Sequence, residues 1–176
     1  MTDTITVKKC IPPPTISFGS YDPVEPSGEH EYSTIVTYTC DLGYYHSDGD
    51  LIRTCDDNKQ WTLTTPVCTI KTCPKPTEPY IDFVPNTATI DFNTTFTGTC
   101  ILGYNHTNGN ALRTCLDTYA LDGSPMICSI VECAALPLPA HSSITNTVPS
   151  KYVYQDDVTY ACNTGYELSG GDVVRT

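Results

Sequence analysis

The chain has 176 residues, among them ten cysteines and 14 prolines, and a net charge of −11 at neutral pH. Twenty acidic side chains against nine basic ones exclude a surface built for nucleic acid, heparin or an anionic membrane, because like charge repels each of them. No apolar run approaches a membrane span, and Met1–Val7, MTDTITV, lacks a signal-peptide core, so the sequence reads as a fragment of a secreted protein with no membrane insertion inside it.

The cysteines stand at 10, 40, 55, 68, then 73, 100, 115, 128, then 133 and 162. Gaps of 30, 15 and 13 are followed by 27, 15 and 13, and a third series opens with 29. Its next cysteine would fall just past Thr176. Such a period announces tandem repeats, with domains expected at 8–69, 71–129 and 131–176, the last cut before its third cysteine. A repeat of about 60 residues buries only about 60 % of its unfolded surface, so it needs covalent staples. Disulfide-dense repeats belong outside the cell, and no repeat holds the paired short spacings that zinc requires. No metal and no other cofactor is expected.

Taken in order, Cys10-Ile11-Pro12-Pro13-Pro14 opens the first repeat as an extended segment that cannot be helical. Tyr21–Tyr32, YDPVEPSGEHEY, reads as an exposed acidic loop. Tyr32–Cys40, YSTIVTYTC, alternates as a strand. Then comes Tyr38–Cys55, YTCDLGYYHSDGDLIRTC, which recurs as Gly98–Cys115 and as Tyr160–Thr176. Asp48-Gly49, Asn108-Gly109 and Gly170-Gly171 predict two-residue type I′ turns, which makes this stretch a β-hairpin. Pairing outward from that turn sets Cys40 opposite Asp57 and leaves Cys40 and Cys55 diagonal, roughly 7–8 Å apart, near the limit of about 7 Å for a bridge. They are expected to bond elsewhere, which leaves two of three connectivities open. Thr69–Thr72 and Ser129–Glu132 are short linkers, expected to hold neighbouring repeats in a semi-rigid string. The third repeat begins Cys133-Ala134-Ala135 and has its strand at Tyr152–Cys162, with Gln155-Asp156-Asp157 breaking the alternation. No segment carries a capped 3.6-residue period, so the class is all-β.

Cys10, Pro12, Pro13, Tyr38, Cys40, Gly43, Tyr44, Cys55, Trp61, Pro66 and Cys68 together resemble the sushi family, also called complement control protein modules or short consensus repeats. The resemblance covers essentially the chain after Val7. It implies small elongated β-sandwiches, beads on a string, with first-to-third and second-to-fourth bridges: Cys10 with Cys55, Cys40 with Cys68, Cys73 with Cys115, Cys100 with Cys128. Cys133 and Cys162 would be left unpaired by truncation. Leu121 stands where Trp61 does and Gly98 where Tyr38 does; each change removes about 1–3 kcal/mol of aromatic burial if uncompensated, so the second repeat is expected to be the less stable.

The family is non-catalytic, and the residues agree. His30, His46, His106 and His141 accompany no G-x-S-x-G elbow, so no positioned nucleophile is expected and the chain is read as no enzyme. His46 and His106 share one position and could form a pH-responsive tip, but duplication of a polar residue is the plainer reading, since the third repeat has Leu168 there. Asp48, Asp50, Asp56 and Asp57 lack the spacing of a calcium loop, and turn chemistry accounts for at least Asp48. Asn93 and Asn105 open glycosylation sequons. Tyr21, Glu25, Glu29, Glu31 and Tyr32 are candidate ligand contacts on the acidic loop, suited to a protein with a basic face. The expected function is extracellular protein recognition of complement-regulator, adhesion or receptor type. The alternative is a spacer or recognition stalk of a mosaic protein whose activity, for example a serine protease domain, lies elsewhere in it.

Overall fold

The computed structural model describes residues 5–134, 136–146 and 151–176. The first four residues of the opening heptapeptide, and Ala135 of the third repeat's opening, lie outside the described residues. The described chain is all-β, without a helix. In the first repeat the strands are β1 Lys9–Cys10, β2 Gly19–Asp22, β3 His30–Glu31, β4 Ile35–Cys40, β5 Tyr44–Asp48, β6 Ile52–Thr54 and β7 Val67–Ile70. The second has β8 Thr72–Pro74, β9 Ile81–Val84, β10 Thr89–Asp91, β11 Thr95–Cys100, β12 Tyr104–Asn108, β13 Leu112–Thr114 and β14 Ile127–Ile130. The third has β15 Glu132–Cys133, β16 Ser142–Ile144, β17 Tyr152–Val153, β18 Val158–Cys162 and β19 Val174–Arg175. These fall into two compact units: residues up to Lys75 with Thr87–Phe96 and Arg113–Asp122, and Pro76–Asn86, Thr97–Leu112 and the residues from Gly123 on.

In the first unit, alternation along β4 decides the core. Val36 and Tyr38 point inward, while Ile35, Thr37 and Thr39 face water. The inward pair packs with Cys10, Cys55 and Trp61, and with half-buried Ile16, Tyr21 and Leu51 at its edge. Two polar tips in this core find carbonyls: Tyr38 Oη donates to Pro14 O at 2.9 Å and Trp61 Nε1 to Ile11 O at 2.9 Å. Arg53, 6 % exposed, donates to the carbonyls of Thr62, Trp61 and Leu63 and to Thr65 Oγ1. Bridges join Cys10 to Cys55, Cys40 to Cys68 and Cys73 to Cys115 in this unit, and Cys100 to Cys128 in the other.

The expected hairpin does not form. β4 lies between β2 and β6, with Ile35 opposite Thr54 and Cys40 opposite Gly19, whereas β5 pairs with β7. The cause sits at Asp41-Leu42-Gly43, where Gly43 at φ 84° turns β5 out of the β4 sheet. Gly49 alone takes positive φ, at 77°, so Asp48-Gly49 is not a type I′ turn. Glycine is required there because a Cβ would collide with the Thr65 carbonyl as β5 hands over to β6.

The long strands expected at Tyr32–Cys40 and Tyr152–Cys162 are each split by a residue at positive φ, Ser33 at 71° and Gln155 at 72°. Asn93, at 60°, holds the same place in the second repeat. In the first two repeats the turn is tied to the third cysteine: Ser33 N–H donates to Cys55 O and Asn93 N–H to Cys115 O, both at 2.9 Å.

Of the two aromatic losses expected to weaken the second repeat, the one at Gly98 is compensated. In the second unit Gly98 lies opposite Phe83, and a Cβ there would sit 2.8 Å from Met126 Sδ and 3.0 Å from Phe83 Cε1. Phe83 and Met126 therefore fill the space that Tyr38 fills in the first repeat. In the first unit Phe96 replaces the smaller Val36 at the matching strand position and is fully buried.

Candidate functional site

The acidic loop is shorter than the sequence implied. Both ends are drawn into sheets, Tyr21 by β2 and His30 by β3, which leaves 23–29 as loop. Tyr21 is half-buried, its ring packing 5.6 Å from Tyr38 and 6.3 Å from His30. Glu25, Glu29 and Glu31 are exposed, and so is Tyr32, with 52 % of its surface free. The Gly28 N–H donates to Glu25 O at 2.8 Å, closing a turn that carries Pro26 outward. Lys9 approaches Glu29 at 3.7 Å, a weak surface pair, so the face keeps its negative sign.

The aspartates near the β5 tip are used as turn fasteners. Asp48 Oδ1 accepts the Gly49 N–H, Asp56 Oδ1 accepts those of Asn58 and Gln60, and Asp57 pairs with Lys8. The Thr64 N–H and hydroxyl, bonded to Asp50, hold its carboxyl below the usual range. Among the described residues no group of three or more His, Cys, Asp or Glu could hold a metal ion. His46 Nε2 donates to Gly49 O at 3.0 Å and His106 Nε2 to Asn108 O at 2.8 Å, so each imidazole braces its own turn. Asn93 and Asn105 are exposed, the first on the turn before β11, the second within β12 opposite Ser129. Cys133 and Cys162 are exposed and unbonded.

Two features escaped sequence reading. The tyrosine of each G-Y pair stacks on an aromatic ring held at positive φ: Tyr44 on Phe18 at 4.3 Å, Tyr104 on Tyr80 at 4.2 Å, Tyr166 on His141 at 4.1 Å. The partners differ in residue type and stand 22, 20 and 21 residues before the second cysteine of their repeats, so no fixed spacing marks them. The other feature is a joint in the first unit. Lys71 N–H donates to Gly43 O and Phe92 N–H to Lys71 O, both at 2.8 Å. The Phe92 ring occupies the space a Cβ on Gly43 would need. Asp117 Oδ1 accepts both the Gly43 N–H and Lys71 Nζ at 2.8 Å, and Lys71 lies 5.3 Å over the Tyr119 ring. Within the second unit the same backbone device recurs, Val131 N–H to Gly103 O at 2.8 Å and Tyr154 N–H to Val131 O at 2.9 Å.

The repeated cysteine pattern has counterparts in known proteins. The model of the Sushi repeat (SCR repeat) family matches residues 10–68 and 133–175. The chain belongs to the sushi repeat family. It is 28 % identical over 165 residues to mouse P-selectin, covering 92 % of this chain and 21 % of that protein. To protein lev-9 of Caenorhabditis elegans it is 30 % identical over 168 residues, 92 % of this chain and 26 % of that one. Dog beta-2-glycoprotein 1 is 29 % identical over 159 residues, with 82 % and 43 % covered. The chain thus spans less than half the length of each of these relatives. Sushi repeats stapled by disulfides are extracellular, on secreted proteins or ectodomains.

Proposed function

We propose that this sushi segment, with repeats bounded at 8–69, 71–129 and 131–176, is a non-catalytic protein-recognition region of an adhesion, receptor or complement-regulator type protein. Its first repeat meets the partner through Glu25, Glu29, Glu31 and Tyr32. One observation carries this reading: Glu25 and Glu29 on the loop, Glu31 in β3 and the half-exposed Tyr32 just past it form one exposed acidic stretch. A fixed acidic face with an aromatic at its rim suits a protein surface rich in Lys and Arg. Heparin and nucleic acid are poor partners, because Lys8, Lys9, Lys71 and Lys151 face carboxylates and Arg53 is spent on buried carbonyls. Asn93 and Asn105 would carry N-glycans on the second repeat.

The test is binding of the purified chain to complement proteins and to cell surfaces, beside a variant of this loop region that carries Glu25→Gln, Glu29→Gln, Glu31→Gln and Tyr32→Ala and leaves His30 in place. Binding that weakens with added salt and disappears in the variant is expected. Equal binding by both would overturn the role of this loop. The spacer reading is favoured by the hydrogen-bonded joint at Gly43, Lys71 and Asp117, and it predicts no binding by either protein.

A further inference from the structure

His30 is the least comfortable residue in the first repeat. It is 1 % exposed, and neither Nδ1 nor Nε2 has a hydrogen-bond partner. Buried polar atoms are nearly always paired, so two orphans on one ring ask for a reason. Filling space is not the reason. The matching inward position, opposite the first cysteine of the repeat, is held by Ile90 across from Cys73 and by Tyr152 across from Cys133. Ile90 is buried there at 6 % exposure, so the fold accepts an apolar side chain at no polar cost.

The surroundings decide which protonation state fits. The ring stands edge-on to Trp61 at 5.3 Å and to Tyr21 of β2 at 6.3 Å, with Tyr38 of β4 behind Tyr21. Across β1 lies the Cys10–Cys55 bridge. From β6, Arg53 brings a permanent positive charge to the same end of the core, its Nη2 donating to Trp61 O at 3.2 Å. These inner faces hold a cation and neutral rings, and the carboxylates are outside. Glu29 and Glu31, the neighbours of His30 in sequence, face water, with Lys9 against Glu29 and Lys8 against Asp57. Closed, the ring fits only as neutral imidazole. Swung out, a protonated ring would lie between two glutamates on a chain of net charge −11. The clasp is slight: β3 pairs with β1 over two residues, and Tyr32 N–H donates to Lys8 O at 2.8 Å.

We propose that His30 is a proton-operated latch: the neutral ring holds β3 and the acidic loop against the first repeat, and protonation releases them, exposing Trp61. Acid therefore favours the open form, because only the released ring has room for a proton. The latch does not depend on what the loop binds.

The experiment uses the full chain from about pH 8 to about pH 5. Trp61, the only tryptophan, reports by its emission. Amide protection is followed at Lys8–Cys10 and Glu29–Tyr32, and the His30 ring protons are followed by NMR. Emission and ring shift should move together, and protection should fall by up to about tenfold per pH unit below the midpoint, the limit for one linked proton. His30→Ile should be flat, and His46→Gln should behave as wild type. A His30 ring that titrates while those amides keep their protection would overturn the latch, as would equal pH responses in wild type and His30→Ile. If His30→Ile does not fold, the wild-type correlation decides by itself.

Discussion

Single side chains carry more of the first repeat than its small core suggests. Arg53 is a buried cation without a buried carboxylate, and its role is to hold the carbonyls of residues 61–63 beneath the tryptophan. Arg53→Met keeps the length and removes the donors to the buried Trp61 carbonyl and the part-buried carbonyls of Thr62 and Leu63. A loss of about 2–4 kcal/mol is expected in urea unfolding of the chain, and no change in midpoint would refute the role. Burial pushes the Tyr38 phenol above its ordinary range, against a smaller opposite pull from Arg53. The contrast with Gly98 was half legible. That an aromatic is missing there is plain in the sequence; that Phe83 and Met126 occupy its space is set by cross-strand register and by a residue 28 positions away, which no local pattern reports.

At the scale of elements, the repeating strand β5 shows where pattern reading stops. The alternation of Tyr38–Cys55 and the Asp-Gly pair are local facts, and they fit a hairpin. The pairing went to β7 because Gly43 redirects the chain and the 40–68 bridge draws β7 alongside. Gly43 also belongs to the joint. Lys71 above all, and then the Gly43 N–H, hold the Asp117 carboxyl below the usual range. A depressed value means that the ionised form is the bonded one. The contribution is therefore full above the ordinary aspartate range and is lost only as the pH falls through the lowered value. Asp117→Asn should speed amide exchange at Gly43 several-fold at neutral pH, and wild type should approach the variant only in strong acid. Identical exchange in both at neutral pH would show that the backbone bonds and the Phe92 contact hold the joint without Asp117.

For the whole molecule, covalent bonds do what a large core does elsewhere. Bridges closing separations of 45 and 42 residues stabilise by about 4 kcal/mol each on the chain-entropy account, comparable to the net stability of so small a unit. Mild reduction should therefore abolish the cooperative melting transition at 37 °C and leave little sheet signal in circular dichroism; a transition surviving full reduction would show a self-sufficient core. The sequence by itself determined the class, the repeat period, the compartment and the family, because cysteine spacing, turn residues and charge are properties of the chain read locally. Tertiary structure alone decided which strands pair, that Tyr21 and His30 turn inward while Glu29, Glu31 and Tyr32 face out, and how Asp117 reaches Gly43. Each of these depends on register and on contacts between residues far apart in the chain, where free energy of packing and not local preference selects the outcome.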